Sequence, residues 1–394
     1  MQQSTKSIYT YQFGLLCTSS FLFFASFSMI LPELPAYLSG MGGGRYIGFI
    51  ISLFTLAAMI SRPFSGKLAD TIGRRPIIFF GVLMSFICSL LYPVLTGVSA
   101  FLLLRFLHGF STGFAPTGTS AYVADIIPDN RRGEAMGILG LTSNIGTAFG
   151  PALGSEITVA SSINFMFYMA SVFAILSMLI LLGLKETLHQ PQHFRVQLLK
   201  IKSDEILEPR VMAPSIAMFL IVVPLGVVLT VVPDLSEHLE MRNKGVFFTF
   251  YTLSSLLVRF LAGKISDKYG RVIVIKWGAA TLIVSMLYMG YAWSATHLLM
   301  AAIIYGIAVG LVSPTIFAWT IDLAHQNRLG KAMATVYIAL EGGIGLGAIL
   351  AGWTYAQDIS RIPLTFWIPA ISALIALCYL QFGLKTTRLK KTYS

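Results

Sequence analysis

Long apolar runs separated by short polar links make up most of the chain. A membrane-spanning helix needs roughly 20 apolar residues. By that measure the sequence predicts twelve spans, which begin near residues 13, 46, 76, 99, 134, 162, 211, 245, 272, 297, 331 and 362. The composition agrees, because 56% of the residues are hydrophobic and only 11% are charged, whereas a soluble domain carries about 25% charged residues. The sequence therefore predicts an all-α integral membrane protein surrounded by a lipid bilayer.

Positive charge falls mainly in every second link and in the last residues of the chain. These links hold Lys67, Arg74, Arg75, Arg131, Arg132, Lys264, Lys268, Arg271, Arg328 and Lys331, and the tail adds Lys385, Arg388, Lys390 and Lys391. Such an excess marks cytoplasmic links, so both termini of this multi-pass protein are expected to be cytoplasmic. Short loops are typical of a bacterial inner membrane. The net charge of +11 does not indicate nucleic acid, because the charges are not gathered on one phosphate-binding face.

A polar, charged segment interrupts the pattern in the middle of the chain. Residues 185–210 are too polar to span a membrane and too long for a simple link, so we expect a cytoplasmic connector there. It divides the chain into a six-helix bundle of residues 1–184 and a second six-helix bundle of residues 211–394, which ends in a short basic tail. A monomer is expected, because each chain contains both halves of a central cavity.

The two halves repeat one another in sequence. SRPFSGKLADTIGRR in the first half matches VRFLAGKISDKYGRV in the second, and ADIIPDNRRGEAM matches IDLAHQNRLGKAM in the same register. The register aligns Asp70 with Asp267 and Asp125 with Asp322. Tandem six-helix units are how many secondary transporters are built.

Four motifs carry a resemblance to the major facilitator superfamily. The loop GKLADTIGRR is similar to the signature loop between its second and third helices, and LLLRFLHGFSTGFA is similar to its fourth-helix motif. ILPELPAYL resembles the first-helix signature of its twelve-helix exporters. The fifth-helix antiporter motif of its drug–proton exporters is matched at Gly137, Gly146, Gly150, Pro151 and Gly154. The chain departs from that motif at Ser155, and Ala348 stands where Pro151 would align in the second half.

The resemblance implies a fold of two pseudo-symmetric six-helix bundles and a conformational latch at the cytoplasmic loops. In that latch Asp70 approaches the start of the eleventh helix, near Lys331, while Arg74 pairs with Asp125. The repeat implies a second cluster in the other half. The expected latch residues are Gly66, Asp70, Gly73, Arg74, Asp125, Gly263, Asp267, Arg271 and Asp322. A simpler role, holding the loops in the cytoplasm, explains the positive charges but not the aspartates.

Ionisable residues inside predicted spans are costly and are usually functional or paired. Glu33 lies between two prolines of the first helix and Arg105 lies in the fourth. The resemblance implies that both helices line a central cavity, so we expect the two side chains to form an ion pair in which Glu33 carries the coupled proton. The alternative is that Glu33 is solvated near the outer surface. Arg62 and Arg259, one turn before the signature glycines, are expected at the cytoplasmic interface or in the latch. Cargo binding is the third alternative for them.

Further cavity candidates lie in other predicted spans. Glu341 lies near the bilayer midplane and is expected to titrate or to bind a cationic cargo, with Asn144 as its repeat mate. The alternative is that Glu341 makes a buried structural hydrogen bond. Asp234 is either the counterpart of Glu33 or a wet helix end. His108 shares a helix face with Arg105, although a packed histidine is the commoner case. Tyr305 and Trp319 are the aromatic candidates for cavity walls.

Small residues let helices approach closely, so the glycines of the fifth helix are expected to serve helix packing. The resemblance implies that this helix meets the eighth at the interface between the halves. Gly150-Pro151 adds a kink.

Taken together, these features predict a proton-coupled secondary transporter that works by alternating access. The expected cargo is a small amphipathic or cationic compound, exported in the manner of multidrug efflux. A carrier for one metabolite remains open, either an exporter of a metallophore, siderophore or sugar-like compound or an importer, and a membrane enzyme or receptor on the same scaffold is a distant alternative. No catalytic or nucleotide-binding motif is present in the sequence, so neither an enzyme, nor a cofactor, nor a metal site is expected.

Overall fold

The computed structural model describes residues 9–128, 131–188, 190–201, 206–324 and 328–383. Within these ranges the chain is helical and contains no strand. The helices, in chain order, are α1 (Tyr11–Met29), α2 (Leu34–Gly40), α3 (Ile47–Thr71), α4 (Arg74–Leu91), α5 (Val98–Ile126), α6 (Arg132–Ala160), α7 (Ile163–Leu182), α8 (Met212–His238), α9 (Val246–Tyr269), α10 (Arg271–Gly290), α11 (Ala295–Leu323), α12 (Leu329–Tyr355) and α13 (Ile362–Cys378). The basic tail after residue 383 and the repeat positions Asn130 and Asn327 lie outside the described residues.

The helices begin close to the predicted positions, and α1 and α2 form one broken span. The break is a short 3₁₀ segment, Leu31–Glu33, where Pro32 and Pro35 each remove a backbone donor from the helix. In hydrocarbon a helix satisfies every backbone group within itself, which explains why the apolar runs are helical throughout.

Ten helical segments of the described chain are long and apolar enough to cross a membrane, or eleven if α9 counts as one bent span. The remaining long helix is α6, which is 29 residues long but rich in glycine, serine and threonine. The all-α membrane fold with twelve long helical units is thus confirmed.

The two signature loops are sharp reversals that depend on glycine. Gly73, between α3 and α4, has φ of +124°, and Gly270, between α9 and α10, has φ of +91°. This left-handed region is open to glycine at little cost. The repeated sequence therefore folds into a repeated turn.

Helix packing follows the same two-fold pattern. In the first half (α1–α7), α1 packs on α6 and α3 on α5; in the second half (α8–α13), α8 packs on α12 and α9 on α11. Two seams join the halves, one between α3 and α12 and one between α6 and α9. Since α3 corresponds to α9 in the repeat and α6 to α12, each seam is the mirror of the other.

The close backbone contacts across the seams lie toward the end of the molecule away from the signature loops. We call this the opposite end, and the end with the signature loops the basic end. A Cβ placed on Gly48 of α3 would lie 2.5 Å from the carbonyl oxygen of Ala348, and one placed on Gly245 would lie 2.0 Å from that of Pro151. The side chain of Gln357 also donates to Ser39 Oγ at 2.7 Å. Backbones from the two halves therefore touch at the opposite end.

Candidate functional site

A three-residue charge cluster lies at the first signature loop. Arg74 donates through Nε to Asp125 at 3.0 Å and through Nη1 to Asp70 at 2.8 Å. The second half repeats this geometry, with Arg271 donating to Asp322 at 3.0 Å and to Asp267. The structure thus brings together the predicted arginine–aspartate sets, each within its own half.

The other residues of the expected latch at the basic end are Asp70 and the glycines of the signature loops. The side chain of Asp70 is 72% exposed and interacts with Arg74. The expected approach of Asp70 to the start of the eleventh helix stays a prediction. A Cβ on Gly66 or Gly263 would meet nothing within 4 Å, so packing here does not require glycine at these positions.

The connector caps the first signature loop, which sequence reasoning missed. The carboxylate of Glu186 accepts hydrogen bonds from the backbone N–H groups of Arg74 and Arg75 at 2.9 and 3.0 Å. A carboxylate is favourable at a helix N-terminus because the backbone donors there are unpaired. Thr187 adds a hydrogen bond to Asp125 at 2.6 Å. A glutamate in a polar segment carries no sequence signal for this contact.

A buried ion pair joins the halves in the interior. Arg62 on α3 donates through Nη2 to Oε1 of Glu341 on α12 at 3.1 Å, and both side chains are 8% exposed. Arg62 also donates to Thr117 of α5 at 3.3 Å, and its Cζ lies 4.5 Å from the ring centroid of Tyr337. The expectation that Arg62 lies at the interface was wrong, because packing of α3 on α12 gives it a buried carboxylate partner.

The predicted pair of Glu33 and Arg105 is not formed. Glu33 instead accepts a hydrogen bond from Ser155 of α6 at 2.6 Å, and Lys244 of the second half lies 3.9 Å away. Ser155 also accepts from the backbone N–H of Gly245 at 3.2 Å. The break after α1 directs Glu33 toward α6 and the second half, away from α5. Glu33 is buried, so the solvated alternative is also wrong.

Arg105 and His108 belong to a polar network inside the first half. Arg105 is fully buried and donates to the carbonyl of Ile50 at 2.9 Å and to the hydroxyl of Tyr92 at 3.3 Å. His108, also fully buried, lies 3.3 Å from the same hydroxyl and 3.2 Å from that of Ser85. The predicted proximity of Arg105 and His108 is therefore seen, mediated by Tyr92.

A cavity of about 120 Å³ opens between α6 and the second half. Asn144 and Tyr305, both predicted as cavity residues, line it together with Arg259 and Tyr251. Arg259 was expected at the interface, in the latch or, as the third alternative, at the cargo, and it lies in the cavity wall. Trp319 is buried in the apolar core instead.

Asp234 lies on α8, three residues before Glu237 and near the opposite end of the molecule. Glu237 forms an ion pair with Lys244 at 2.6 Å, and Lys244 also lies 3.9 Å from Glu33. Asp234 and Glu33, the two predicted counterparts, therefore lie at the same end of the molecule.

The antiporter-motif glycines pack against α1. A Cβ on Gly146, Gly150 or Gly154 would come within 2.6 Å of a backbone oxygen of α1, whereas one on Gly137 would meet nothing within 4 Å. The expectation that these glycines serve the contact with the eighth helix was wrong. That contact, between α6 and α9, instead uses the Pro151 carbonyl against Gly245 and the Ala148 carbonyl, which accepts from Thr249 at 3.0 Å.

Mirrored helix sets around an interior with buried charges are the architecture of a secondary transporter. Comparison with known proteins agrees. A family model for the Major Facilitator Superfamily matches residues 16–242 and 214–392, and the chain belongs to that superfamily. Its family and its relatives are transporters.

The similar proteins include bacterial resistance proteins. Multidrug resistance protein 2 of Bacillus subtilis (strain 168) is 27% identical over 357 residues, which cover 86% of this chain and 88% of that protein. Quinolone resistance protein NorA of Staphylococcus aureus is 30% identical over 182 residues, 46% of each chain. A solved D-xylose–proton symporter shares the fold, with a TM-score of 0.74 at 16% identity over 94% of this chain and 97% of that one.

Proposed function

We propose that the protein is a proton-coupled exporter of small amphipathic compounds, of the multidrug type, which works by alternating access as a monomer. Its basic end faces the cytoplasm of a bacterial cell, and both termini lie on that side. The bundles of residues 1–184 and 211–394 move relative to one another, and residues 185–210 connect them. The observation that carries the proposal is the buried ion pair between Arg62 and Glu341, since it joins the halves through a carboxylate that a proton would neutralise.

The ion pair lies in the α3–α12 seam, so breaking it would weaken the contact between the two halves. The α3–α12 seam runs from Gly48 and Ala348 at the opposite end toward Arg62 and Glu341 in the interior. Two charges out of water are tolerated because they compensate one another. A proton on Glu341 removes the negative charge and weakens the attraction across the seam. Proton binding and seam opening are thereby linked, which is what coupling by population shift requires.

The charge clusters at the basic end indicate which stage of the transport cycle this structure represents. In this structure the seams are closed at the opposite end, while the Arg74 and Arg271 clusters each form ion pairs within their own half. We infer that this is the conformation open toward the cytoplasm. In the other conformation Asp70 would approach the N-terminus of α12, where a carboxylate is stabilised by about 0.3–1 kcal/mol when exposed.

Two further lines support export of amphipathic compounds. One is the similarity to a protein named for multidrug resistance, which extends over most of both chains. The other is the interior, where tyrosine rings and aliphatic side chains share a cavity with a charged group. Because Glu341 is engaged by Arg62, its carboxylate is better suited to coupling than to holding a cationic cargo.

The test is flux in proteoliposomes loaded with a pH-sensitive dye. A quinolone is added outside under an imposed pH gradient, and wild type is compared with Glu341→Gln. Wild type should couple compound movement to proton movement. Glu341→Gln should abolish pH-driven flux, because glutamine cannot take up the proton.

Glu240→Gln provides the matched control. Glu240 is an exposed acid beyond the end of α8, so the same chemical change there should leave both signals at the wild-type level. Undiminished proton movement in Glu341→Gln would exclude Glu341 as the coupling residue. Compound movement without any proton signal in wild type would exclude antiport altogether.

A further inference from the structure

The two-fold repeat relates the buried ion pair to a second position in the molecule, called here the mirror position. At this position the arginine is kept and the glutamate is replaced. Arg62 of α3 corresponds to Arg259 of α9, and Glu341 of α12 corresponds to Asn144 of α6. At the first position Arg62 and Glu341 are in direct contact at 3.1 Å. At the second, Arg259 and Asn144 both line the 120 Å³ cavity. The repeat therefore supplies an arginine here but no carboxylate.

Arg259 has no counter-ion in the described part of the chain. None of the ion pairs there includes it, and its Nε atom is buried without a hydrogen-bond partner among the described residues. Thr252 also lines the cavity, is 4% exposed, and has a hydroxyl that no described group satisfies. Asn144 does not substitute for the missing acid, since its Nδ2 donates to the carbonyl of Gly140 at 2.7 Å. Arg259 is half-buried in the cavity wall, and a charge that is largely withdrawn from water is normally paired.

The rest of the wall is apolar and aromatic. The rings of Tyr251 and Tyr305 lie 5.2 Å apart between their centroids, and aliphatic side chains such as Leu225 and Val309 complete the lining. A site of this kind is suited to a ligand with an aromatic or aliphatic body and a single charged head. An arginine selects a planar anion, since its donors match a carboxylate in geometry and charge.

We propose that this cavity binds the carboxylate of an amphipathic anionic or zwitterionic compound, with Arg259 as its counter-ion. The ligand carboxylate takes the place at Arg259 that Glu341 takes at Arg62. The proposal rests on the proposed function, in that the ligand is the exported cargo. It narrows the cargo class, because a simple cation would meet an unpaired arginine.

Binding without a gradient tests the proposal. The full chain in lipid nanodiscs is titrated calorimetrically with 2-naphthoate, 2-naphthamide and 2-naphthylmethylammonium, which share a ring system and differ in charge. Acetate provides the head group without the ring. We expect 2-naphthoate to bind about tenfold or more tighter than the other three, because a charge-assisted hydrogen bond contributes that much.

Variants at the mirror position make the test specific. Asn144→Glu installs the missing carboxylate and should reduce 2-naphthoate affinity about tenfold, because the new side chain competes for Arg259. Asn144→Gln has nearly the same size without the charge and should retain wild-type affinity. Arg259→Gln should lose the preference for 2-naphthoate over 2-naphthamide.

Several outcomes would overturn the proposal. These are equal binding of 2-naphthoate and 2-naphthamide, unchanged 2-naphthoate affinity in Asn144→Glu, and no 2-naphthoate binding to wild type up to millimolar concentration. If acetate bound as tightly as 2-naphthoate, the ring would add nothing to the affinity. The cavity would then be a simple anion site and would not recognise amphipathic compounds. Flux separates this result from the proposed function: carboxylate-selective binding without proton-coupled flux contradicts export, and coupled flux without carboxylate selectivity contradicts only the subsite.

Discussion

At the scale of single residues, Arg62 and Glu341 stabilise the structure only together. Removing one partner of a buried pair leaves the other charge uncompensated, at a cost of about 3–5 kcal/mol. We therefore expect Arg62→Met and Glu341→Leu each to lower the unfolding temperature in detergent. The double variant should recover most of the loss, since an apolar pair of similar volume avoids desolvating two charges.

A double-mutant cycle on thermal unfolding measures this coupling. The cycle is informative because the two side chains are in direct contact, at 3.1 Å. Additive losses in the double variant would mean that the pair is incidental to stability. Additive losses would also argue against the proposal that protonation of Glu341 weakens the contact between α3 and α12.

Ser155 illustrates how far residue-scale prediction extends. The sequence identifies it as a departure from a glycine motif but gives no reason for the change. In the structure its hydroxyl links Glu33 to the backbone of Gly245 across the α6–α9 seam. By contrast, the resemblance implied the pairing of Arg74 with Asp125, and the repeat extended it to Arg271 and Asp322. The sequence does not predict contacts that depend on the packing orientation of helices far apart in the chain.

At the scale of helices, the apolar pattern is sufficient to predict the elements but not their partners. Helix starts follow from hydropathy and lie close to the predicted residues. Hydropathy does not predict which helix packs on α6, because glycine allows any neighbouring helix to approach closely. Pairing Gly146, Gly150 and Gly154 with the eighth helix was wrong for that reason, and only the packing of α1 on α6 shows which backbone they approach.

The glycines of α6 therefore provide an internal comparison. A Cβ on Gly154 would lie 2.1 Å from the carbonyl oxygen of Met29, so Gly154→Ala should separate α6 from α1 and destabilise the protein by about 1–3 kcal/mol. Gly137→Ala, with nothing within 4 Å, should be neutral or slightly stabilising, because alanine favours helix more than glycine does. Thermal unfolding in detergent measures both variants. Equal effects would show that close approach is not what distinguishes the two positions.

At the scale of the whole molecule, the two seams make the opposite end a closed gate. Both are formed by mirrored helix pairs, so opening one without the other would break the two-fold relation of the halves. Alternating access then requires both seams to part together while the basic end closes. A link placed across the opposite end should stop this motion without touching the interior.

Ser39 and Gln357 provide the place for such a link. Their side chains join the two halves at 2.7 Å, and both positions are remote from Glu341 and Arg259. In a Cys378→Ser background, which removes the exposed native thiol, Ser39→Cys/Gln357→Cys should become inactive in the flux assay after treatment with a short bis-methanethiosulfonate. Reduction should restore activity, because the reagent leaves a cleavable disulfide at each cysteine.

The single-cysteine variants separate locking from modification. Each should remain active after the same treatment, since one thiol cannot bridge the halves. Binding of 2-naphthoate to the cross-linked protein should persist, because the cavity is present in the conformation that the link preserves. Full flux through verified cross-linked protein would mean that the opposite end need not open at these residues. The two seams would then be static contacts, and the link between Glu341 protonation and gate opening would have to be abandoned.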